Sequence, residues 1–437
     1  LARFSECRSW RTAGAHSGAK TPLCIFAILF VYIKDERTMN SRNGSAWVNG
    51  PGAVIAKYVL LSFYGYFTIG LTLAVLPVFI HQRLGFNTVV AGGVVSVQYV
   101  MTFFMRAYAG HIVDSRGPKP AVILSMFCFM AAGISLCLAF IWASSPALSL
   151  ALLILSRLFT GCGEGMVGAS PVNWAILHAG EGHTAMAISY NGIATYSAMA
   201  IAAPLGLLLA NNVGYWSLGV LTIITGLIGW WSAITKTALR GARDAPKIAF
   251  LKVLRLVTPY GAGLALAGIG FGAISTFITL YFIYRSWANP AICITGFSLF
   301  FILGRIFFSR SISTYGGLTV AIVSMVVECI GLLVLCVAGS HHLAIAGASI
   351  TGLGFSLIFP ALGYEAIRNV SASNKGAALG AYGLFIDISL GITGPLVGFV
   401  ASHFGLNYIY PFSAFVVLAG LLICYLIKRP AVGGYTG

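Results

Sequence analysis

Six ionisable side chains stand inside long stretches that are otherwise apolar: the carboxylates of Glu164, Glu328 and Asp387 and the guanidiniums of Arg106, Arg157 and Arg305. Each costs several kcal/mol in hydrocarbon unless it faces protein, water or a partner. The chemistry open to such groups is proton binding and release. A carboxylate that takes up a proton loses its charge, and an arginine that approaches in one conformation alone sets when that happens. Asp387 or Glu328 is the expected proton carrier, with Arg157 and Glu164 as coupling partners. The other reading of these acids is a permanent buried ion pair that fixes helix packing. Glu164 follows Arg157 on the same stretch by about 700° of helical rotation, so the two share a face.

The elements that must position these groups are read from hydropathy. Of 437 residues, 58% are hydrophobic and 8% charged, against about 25% charged in soluble domains. Apolar stretches cover 56–80, 89–112, 119–142, 149–172, 184–210, 214–235, 258–284, 291–309, 316–338, 343–367, 376–402 and 407–427. Each is long enough to cross roughly 30 Å of hydrocarbon as a helix. The fold class expected is an all-α membrane protein of twelve helices. Asp387, Glu328 and Arg157 then lie roughly 12 to 18 Å from a span end, near the midplane.

Charge placement orients the bundle. The stretch from Lys236 to Arg255 holds six basic residues and one acid, Asp244. Placing it in the cytoplasm puts Arg42, Lys57, Arg116, Lys119, the linker bases, Arg310, Arg368, Lys375, Lys428 and Arg429 on the same side. Arg83 and Arg285 alone fall outside, so the positive-inside rule makes both termini cytoplasmic. The net charge of +16 is dispersed over loops and points to topology rather than to nucleic acid. The nine cysteines form no CxxC pair and read as small buried hydrophobes. Neither cofactor nor metal is expected.

Before Met39 lie residues with no methionine, and Lys34-Asp35-Glu36-Arg37 correspond to purine-rich codons where a bacterial ribosome-binding site would stand. Residues 1–38 are therefore expected to be untranslated or a disordered extension. The apolar run Pro22 to Ile33 is too short to span and lacks a signal-peptide cleavage site. The expected parts are a six-helix half at 39–235, a cytoplasmic linker at 236–257, a second half at 258–427 and a tail at 428–437.

An internal repeat supports the two halves. At an offset of 191, Thr160-Gly161-Cys162-Gly163 falls on Thr351-Gly352-Leu353-Gly354, and Ala203-Pro204-Leu205 on Gly394-Pro395-Leu396. At an offset of 199, Arg106, Asp114 and Gly117 fall on Arg305, Ser313 and Gly316. Parallel repeats of this kind recur in transporters that rock around a central site. Gly161, Gly163, Gly206, Gly352, Gly354 and Gly394 are expected at close packings or helix breaks, with Pro204, Pro360 and Pro395.

The repeated segments resemble the major facilitator superfamily over everything after Met39. Gly110-His111-Ile112-Val113-Asp114-Ser115-Arg116-Gly117-Pro118-Lys119 is similar to that family's cytoplasmic GxxxD(R/K)xG(R/K)(R/K) motif, with Ser115 departing from it. The resemblance implies a cytoplasmic gate at Gly110, Asp114, Gly117 and Lys119. Gly110 would allow close helix packing, and Gly117 a tight turn. Arg106 and Arg305, near the same span ends, either gate or snorkel. Arg157 to Gly163 matches an RxxxGxG element whose arginine is associated with proton coupling. Ala203-Pro204-Leu205-Gly206 is a degenerate antiporter motif. More closely, Ser189-Tyr190-Asn191-Gly192, the segment Ser356 to Gly363 and Asp387-Ile388-Ser389-Leu390-Gly391 resemble the bacterial YhhS/YfcJ group of efflux permeases.

The resemblance implies proton-driven export of a small molecule across the bacterial inner membrane by a protein functional as a monomer. Uptake by a symporter of the same fold stays open, and so does a channel. Gln98, Tyr99, Tyr190, Asn191, Tyr196 and Tyr382 are candidates to line the substrate cavity, and Tyr66 and Trp174 belong to the same aromatic group. His178 and His183 flank a loop and are expected to be solvated. No HExxH, GxSxG or Asp-rich pair is present, so no enzyme chemistry is indicated.

Overall fold

The structure, a computed structural model, describes residues 50–239, 250–368 and 375–428; within these, the side chains of Asp114, Glu181, Ala185, 250, 251, 375–377 and 379 are not described. The extension at 1–38, linker residues 240–249 and the tail from 429 lie outside the described residues.

Twelve helices long and apolar enough to cross a membrane are present among the described residues. They are α1 (Pro51–Leu73), α2 (Thr88–Arg116), α3 (Pro118–Ile141), α4 (Pro146–Val167), α5 (Thr184–Asn212), α6 (Trp216–Ile234), α7 (Phe250–Tyr284), α8 (Ala291–Phe308), α9 (Gly317–Cys336), α10 (His341–Arg368), α11 (Lys375–His403) and α12 (Ile409–Lys428). Further helical turns extend α1 to Arg83, carry α4 on as Ser170–Ala179, and follow α8 as Ser311–Tyr315. Each apolar stretch in the sequence has its helix, with ends displaced by a few residues.

Local chemistry sets the ends. Proline opens α1, α3 and α4, where its missing N–H leaves no bond unmade. Asn87 caps α2 by accepting from the Val90 N–H at 2.9 Å. Between α2 and α3 a single residue, Gly117, turns the chain with φ +86°, and Gly316 does the same before α9 with φ +82°. These positions correspond at the 199-residue offset, so the repeat reaches the backbone conformation of the turn. Pro204, Pro360 and Pro395 break no helix, contrary to expectation: α5, α10 and α11 run through them. A proline removes one backbone bond, and packed neighbours hold the flanking turns in place.

Helix pairing repeats with the sequence. In the first six helices α1 packs on α5 and α6, α2 on α4, and α3 on α4 and α6. Adding six to every number gives the pairs of the second set: α7 on α11 and α12, α8 on α10, and α9 on α10 and α12. The two principal contacts between the sets, α2 with α11 and α5 with α8, exchange under the same shift.

Glycines set the closest approaches. A Cβ at Gly161 would strike the Gln98 carbonyl on α2, and one at Gly352 the Phe297 carbonyl on α8. Gly163 packs on Phe129, Gly354 on the α9 backbone at Glu328, Gly206 on the Leu71 carbonyl, and Gly394 on Gly92. The lipid-facing surface carries exposed apolar residues such as Leu138, Trp231, Phe307 and Phe415. Among the described residues seven cysteines are free thiols, of which Cys293, Cys329 and Cys424 are buried.

The helix ends divide the bundle into a linker end, where α6 stops and α7 starts, and a distal end. At the linker end Lys119 donates to the carbonyls of Ile234 at 2.8 Å and Lys236 at 2.6 Å, a cation at the C-terminus of α6. His178 is not left to solvent: it hydrogen-bonds Tyr58 Oη at 2.9 Å and Thr237 Oγ1 at 3.0 Å, because the continuation of α4 folds back against α1. At the distal end Arg285 donates to the Ala338 carbonyl at 2.9 Å.

Two substitutions separate packed from open glycines. Gly352→Ala is expected to destabilise the protein by about 1–3 kcal/mol, because backbone on α8 must move. Gly110→Ala, where nothing stands within 4 Å, is expected to leave stability unchanged or slightly raised. Thermal unfolding in detergent micelles compares the two.

Candidate functional site

Three residues on α2, Gln98, Thr102 and Arg106, recur every four positions and form one stripe. The stripe faces α4 on one side and α11 on the other. Toward α4, Arg157 Nη1 donates to Gln98 Oε1 at 2.8 Å, and Gln98 Nε2 donates to Glu164 Oε2 at 2.8 Å. Thr102 Oγ1 reaches the same carboxylate oxygen at 3.1 Å. An amide accepts from a guanidinium through its oxygen and donates to a carboxylate through its nitrogen at once. All four residues are buried, Gln98 completely. Gln98 therefore belongs to a charge relay, whereas the sequence suggested a cavity wall.

Toward α11, Arg106 grips Asp387 in a two-point contact: Nε donates to Oδ2, and Nη2 to Oδ1 at 2.9 Å. The pair joins the first six helices to the second. Side-chain exposure is 20% for Arg106 and 2% for Asp387, so water reaches the pair from the arginine side. In this conformation the Arg106 guanidinium turns across to α11 and does not snorkel toward its own helix end. Arg106 Nη1 would stand 3.2 Å from a Cβ at Gly168, and the Tyr66 hydroxyl 3.6 Å from it. Tyr66 interacts electrostatically with Glu164, Arg106, Asp387 and Tyr196, which puts it at the centre of the site.

The second interface, α5 with α8, is built differently. Arg305 donates from Nε to the Ser356 carbonyl at 3.1 Å, and its guanidinium lies 5.0 Å from the Phe301 ring centroid and 5.5 Å from that of Tyr196. Tyr196 stacks on Phe301 with centroids 3.7 Å apart. Where the first half carries Gln98, Thr102 and Glu164, the repeat offsets bring Phe297, Phe301 and Phe355, which pack together. The polar relay of one half is an aromatic cluster in the other.

Other candidates fall elsewhere. Glu328 is fully buried against Gly270 of α7 and Gly354 of α10, with no hydrogen-bond partner on either oxygen among the described residues. Tyr99 packs between α2 and α11 beside Gly391. Tyr190 lies over Gly52 at the linker end, and Asn191 accepts from Ser62 Oγ at 2.6 Å, so both join α5 to α1 rather than line the centre. Tyr382 is sealed between α10 and α11, donating to the Phe359 carbonyl at 3.0 Å. Trp174 donates to the Thr237 carbonyl at 3.0 Å, at the linker end. Thr102 and Ser356 were not picked out from sequence; the spacing of four from Gln98 and Arg106 was the available signal for Thr102.

The distal side of the site is closed. Thr88 Oγ1 donates to the Gly398 carbonyl at 3.1 Å, and Leu73, Met199 and Ala203 pack in one apolar cluster with Phe271, Ile274 and Phe297. On the linker side Ala107, Gly110 and His111 of α2 and Gly380 of α11 are exposed, and both glycines face open space. Gly110 thus makes no close packing here, because the helices meet on the distal side of Arg106. The side chain of Asp114 lies outside the described residues.

Twelve apolar helices in two sets that pair alike, with paired charges buried between the sets, are the architecture of a membrane transporter. A family model described as the Major Facilitator Superfamily matches residues 58–292 and 263–435. The chain belongs to that superfamily. A protein of Pseudomonas aeruginosa, named an uncharacterized MFS-type transporter, is 47% identical over 378 residues, covering 86% of this chain and 93% of the relative. A similarly named protein of Burkholderia mallei is 46% identical over 377 residues, covering 86% and 92%. Among solved structures, a variant of the nucleoside transporter NupG aligns with a TM-score of 0.69 at 14% identity, over 86% of this chain and all of that one. The human organic anion transporter MFSD10 aligns at 0.63 and 15%, over 86% and 99%. At such identities these two structures share the fold alone.

The Arg106–Asp387 pair makes its own prediction. Arg106→Leu or Asp387→Leu alone is expected to cost about 3–5 kcal/mol by leaving an unpaired buried charge, whereas the double substitution costs much less. A thermal-denaturation double-mutant cycle reads the difference.

Proposed function

We propose that the protein is a proton-coupled exporter of the bacterial inner membrane, exchanging a small molecule for protons by alternating access. The observation that carries the reading is the buried Arg106–Asp387 pair, which ties the two six-helix sets together. Ionised, Asp387 neutralises Arg106 and holds α2 against α11. Protonated, it gives up the ion pair and frees the two helices to part. A proton taken up by Asp387 therefore changes which end of the bundle is closed.

Glu164 is the second acid of this machinery. It interacts electrostatically with both Asp387 and Arg106, and Gln98 joins it to Arg157. A proton arriving at Asp387 alters the field at Glu164, and the relay along α2 carries the change toward α4. Glu328 has no link of this kind to an arginine and is assigned no part in coupling.

The halves at 39–235 and 258–427 are the bodies that rock. The basic residues from Lys236 to Arg255 favour a cytoplasmic linker and cytoplasmic termini. With that orientation the described conformation is open to the cytoplasm, where an exporter loads its substrate, and the segment Gly110 to Lys119 is the gate that closes in the other conformation. Export as against uptake rests on Ala203-Pro204-Leu205-Gly206 and on the likeness to the YhhS/YfcJ efflux permeases. The reading needs no second subunit.

Everted membrane vesicles with an imposed pH gradient, tested with sugars, amino-acid analogues and drugs, examine this function. Gradient-driven accumulation is expected in the wild type and is lost in Asp387→Asn, which still exchanges solute without a gradient. Undiminished gradient-driven transport by Asp387→Asn would sink the assignment of the proton to this residue. Accumulation in right-side-out vesicles instead would reverse the direction to uptake.

A further inference from the structure

We infer that Arg305 binds an anionic group of the transported solute, a carboxylate, sulfonate or phosphate on a small organic molecule, with Tyr196 beneath it as a ring platform. The inference rests on the reading of this protein as a transporter with a central site and adds the class of solute.

The charge inventory comes first. Four carboxylates have described side chains, and each is placed away from Arg305. Asp387 pairs with Arg106, Glu164 with Gln98 and Thr102, and Glu365 with the Gly317 N–H and Arg368, while Glu328 sits between α7 and α10. Among the described residues, Arg305 has no ion-pair partner. An uncompensated guanidinium inside a membrane bundle is costly, and it persists where water or a ligand reaches it.

The repeat sharpens this. Arg106 and Arg305 correspond at the 199-residue offset, and Asp387 and Tyr196 at 191. Each arginine faces its counterpart residue across an interface between the two sets. One interface supplies a carboxylate and neutralises its arginine. The other supplies an aromatic ring, which holds a guanidinium by its face and leaves its edge free.

The local geometry leaves that edge available. Nε is used on the Ser356 carbonyl at 3.1 Å. Gly192 makes room for Nη1, since a Cβ there would collide with it. Nη1 and Nη2 have no hydrogen-bond acceptor among the described residues, and neither is sealed from solvent as Arg157 Nε is. Both terminal nitrogens are therefore reachable by solvent. A planar fork with free parallel N–H groups matches the two oxygens of a carboxylate or phosphate. Asp387 together with Arg106 carries no net charge, and the Glu164 carboxylate is turned to Gln98 and Thr102 of α2.

Equilibrium binding to the purified, detergent-solubilised full chain tests this without any gradient or transport step. The probes are benzoate, benzenesulfonate, gluconate and glucose 6-phosphate, each beside a neutral counterpart: benzamide, benzenesulfonamide, gluconamide and glucose. The expected result is that at least one anion raises the unfolding temperature while its neutral counterpart does not. Arg305→Gln is expected to weaken that anion at least about tenfold, the scale of a lost charge-assisted two-point contact, and Arg305→Lys less. In the wild type, the bound anion should slow phenylglyoxal modification of Arg305, read by peptide mass spectrometry, which keeps the test decisive if Arg305→Gln does not fold.

The proposal is overturned if no anion of the panel binds, if the neutral counterparts bind equally, if Arg305→Gln binds undiminished, or if the anion gives Arg305 no protection. Undiminished proton-driven transport by Asp387→Asn, read separately in vesicles, would overturn the mechanism above and leave anion binding at Arg305 standing.

Discussion

Hydrocarbon solvates a charge so poorly that each ionised side chain in the bundle needs an answer within a few ångströms. The answers run between helices. Arg157 and Glu164 share α4 yet meet only through Gln98 of α2, and Asp387 of α11 meets Arg106 of α2. α2 therefore carries the polar stripe on which the charged centre depends, with α4 and α11 as its two clients. Because α4 belongs to the first set of helices and α11 to the second, any change on the stripe is felt both within one half and between halves.

Close backbone approach makes this possible. Side chains of ordinary length bridge helices only when the helix axes are near, and glycine brings them near. Gly161 sets α4 against α2 at Gln98 itself, and Gly165 sets it against Thr102 and Met105 one turn further on. Gly92 and Gly394 do the same for α2 and α11 on the distal side of the ion pair. The relay is thus held by small residues within about a turn, and the pair by Gly394 about two turns from Asp387. Distal closure and the Arg106–Asp387 contact are also two parts of one interface. Parting the helices at the pair relaxes a contact that the distal glycines must then bear alone.

The helices, their number and the repeat were legible because hydrophobic length and turn-forming glycines act locally, one segment at a time. The six charged residues were legible too, since a charge is conspicuous in an apolar stretch. What the sequence left open was pairing. Arg157 was the expected companion of a mid-span acid, and it does work with Glu164, but through an amide that hydropathy ranks as one more polar residue. Arg106 looks like a span-end arginine in the sequence, whereas its guanidinium turns across to Asp387 on α11. Tyr190, Asn191 and Tyr382 stand on the right helices, yet each points to a neighbour within its own half. Rotation about a helix axis decides this, and an apolar helix buried on several sides leaves little periodicity from which to read it.

The two interfaces between the halves began as one design, to judge from the offsets that relate them, and now differ in kind. The α2–α11 interface keeps Gln98, Thr102 and Arg106 facing Glu164 and Asp387. The α5–α8 interface has Phe297, Phe301 and Phe355 in place of the polar positions and Tyr196 in place of the acid, while the arginine stays. Aromatic packing makes that side rigid and dry, since Phe297, Phe301 and Phe355 are almost fully buried. A dry, unpaired cation would be the most expensive arrangement available, so the free edge of Arg305 must open to the space between the halves. In the proposed mechanism, proton chemistry and solute recognition fall to opposite interfaces of one bundle. Both interfaces would then change together if the halves rock, so a proton bound at one would alter affinity at the other without any direct contact between them.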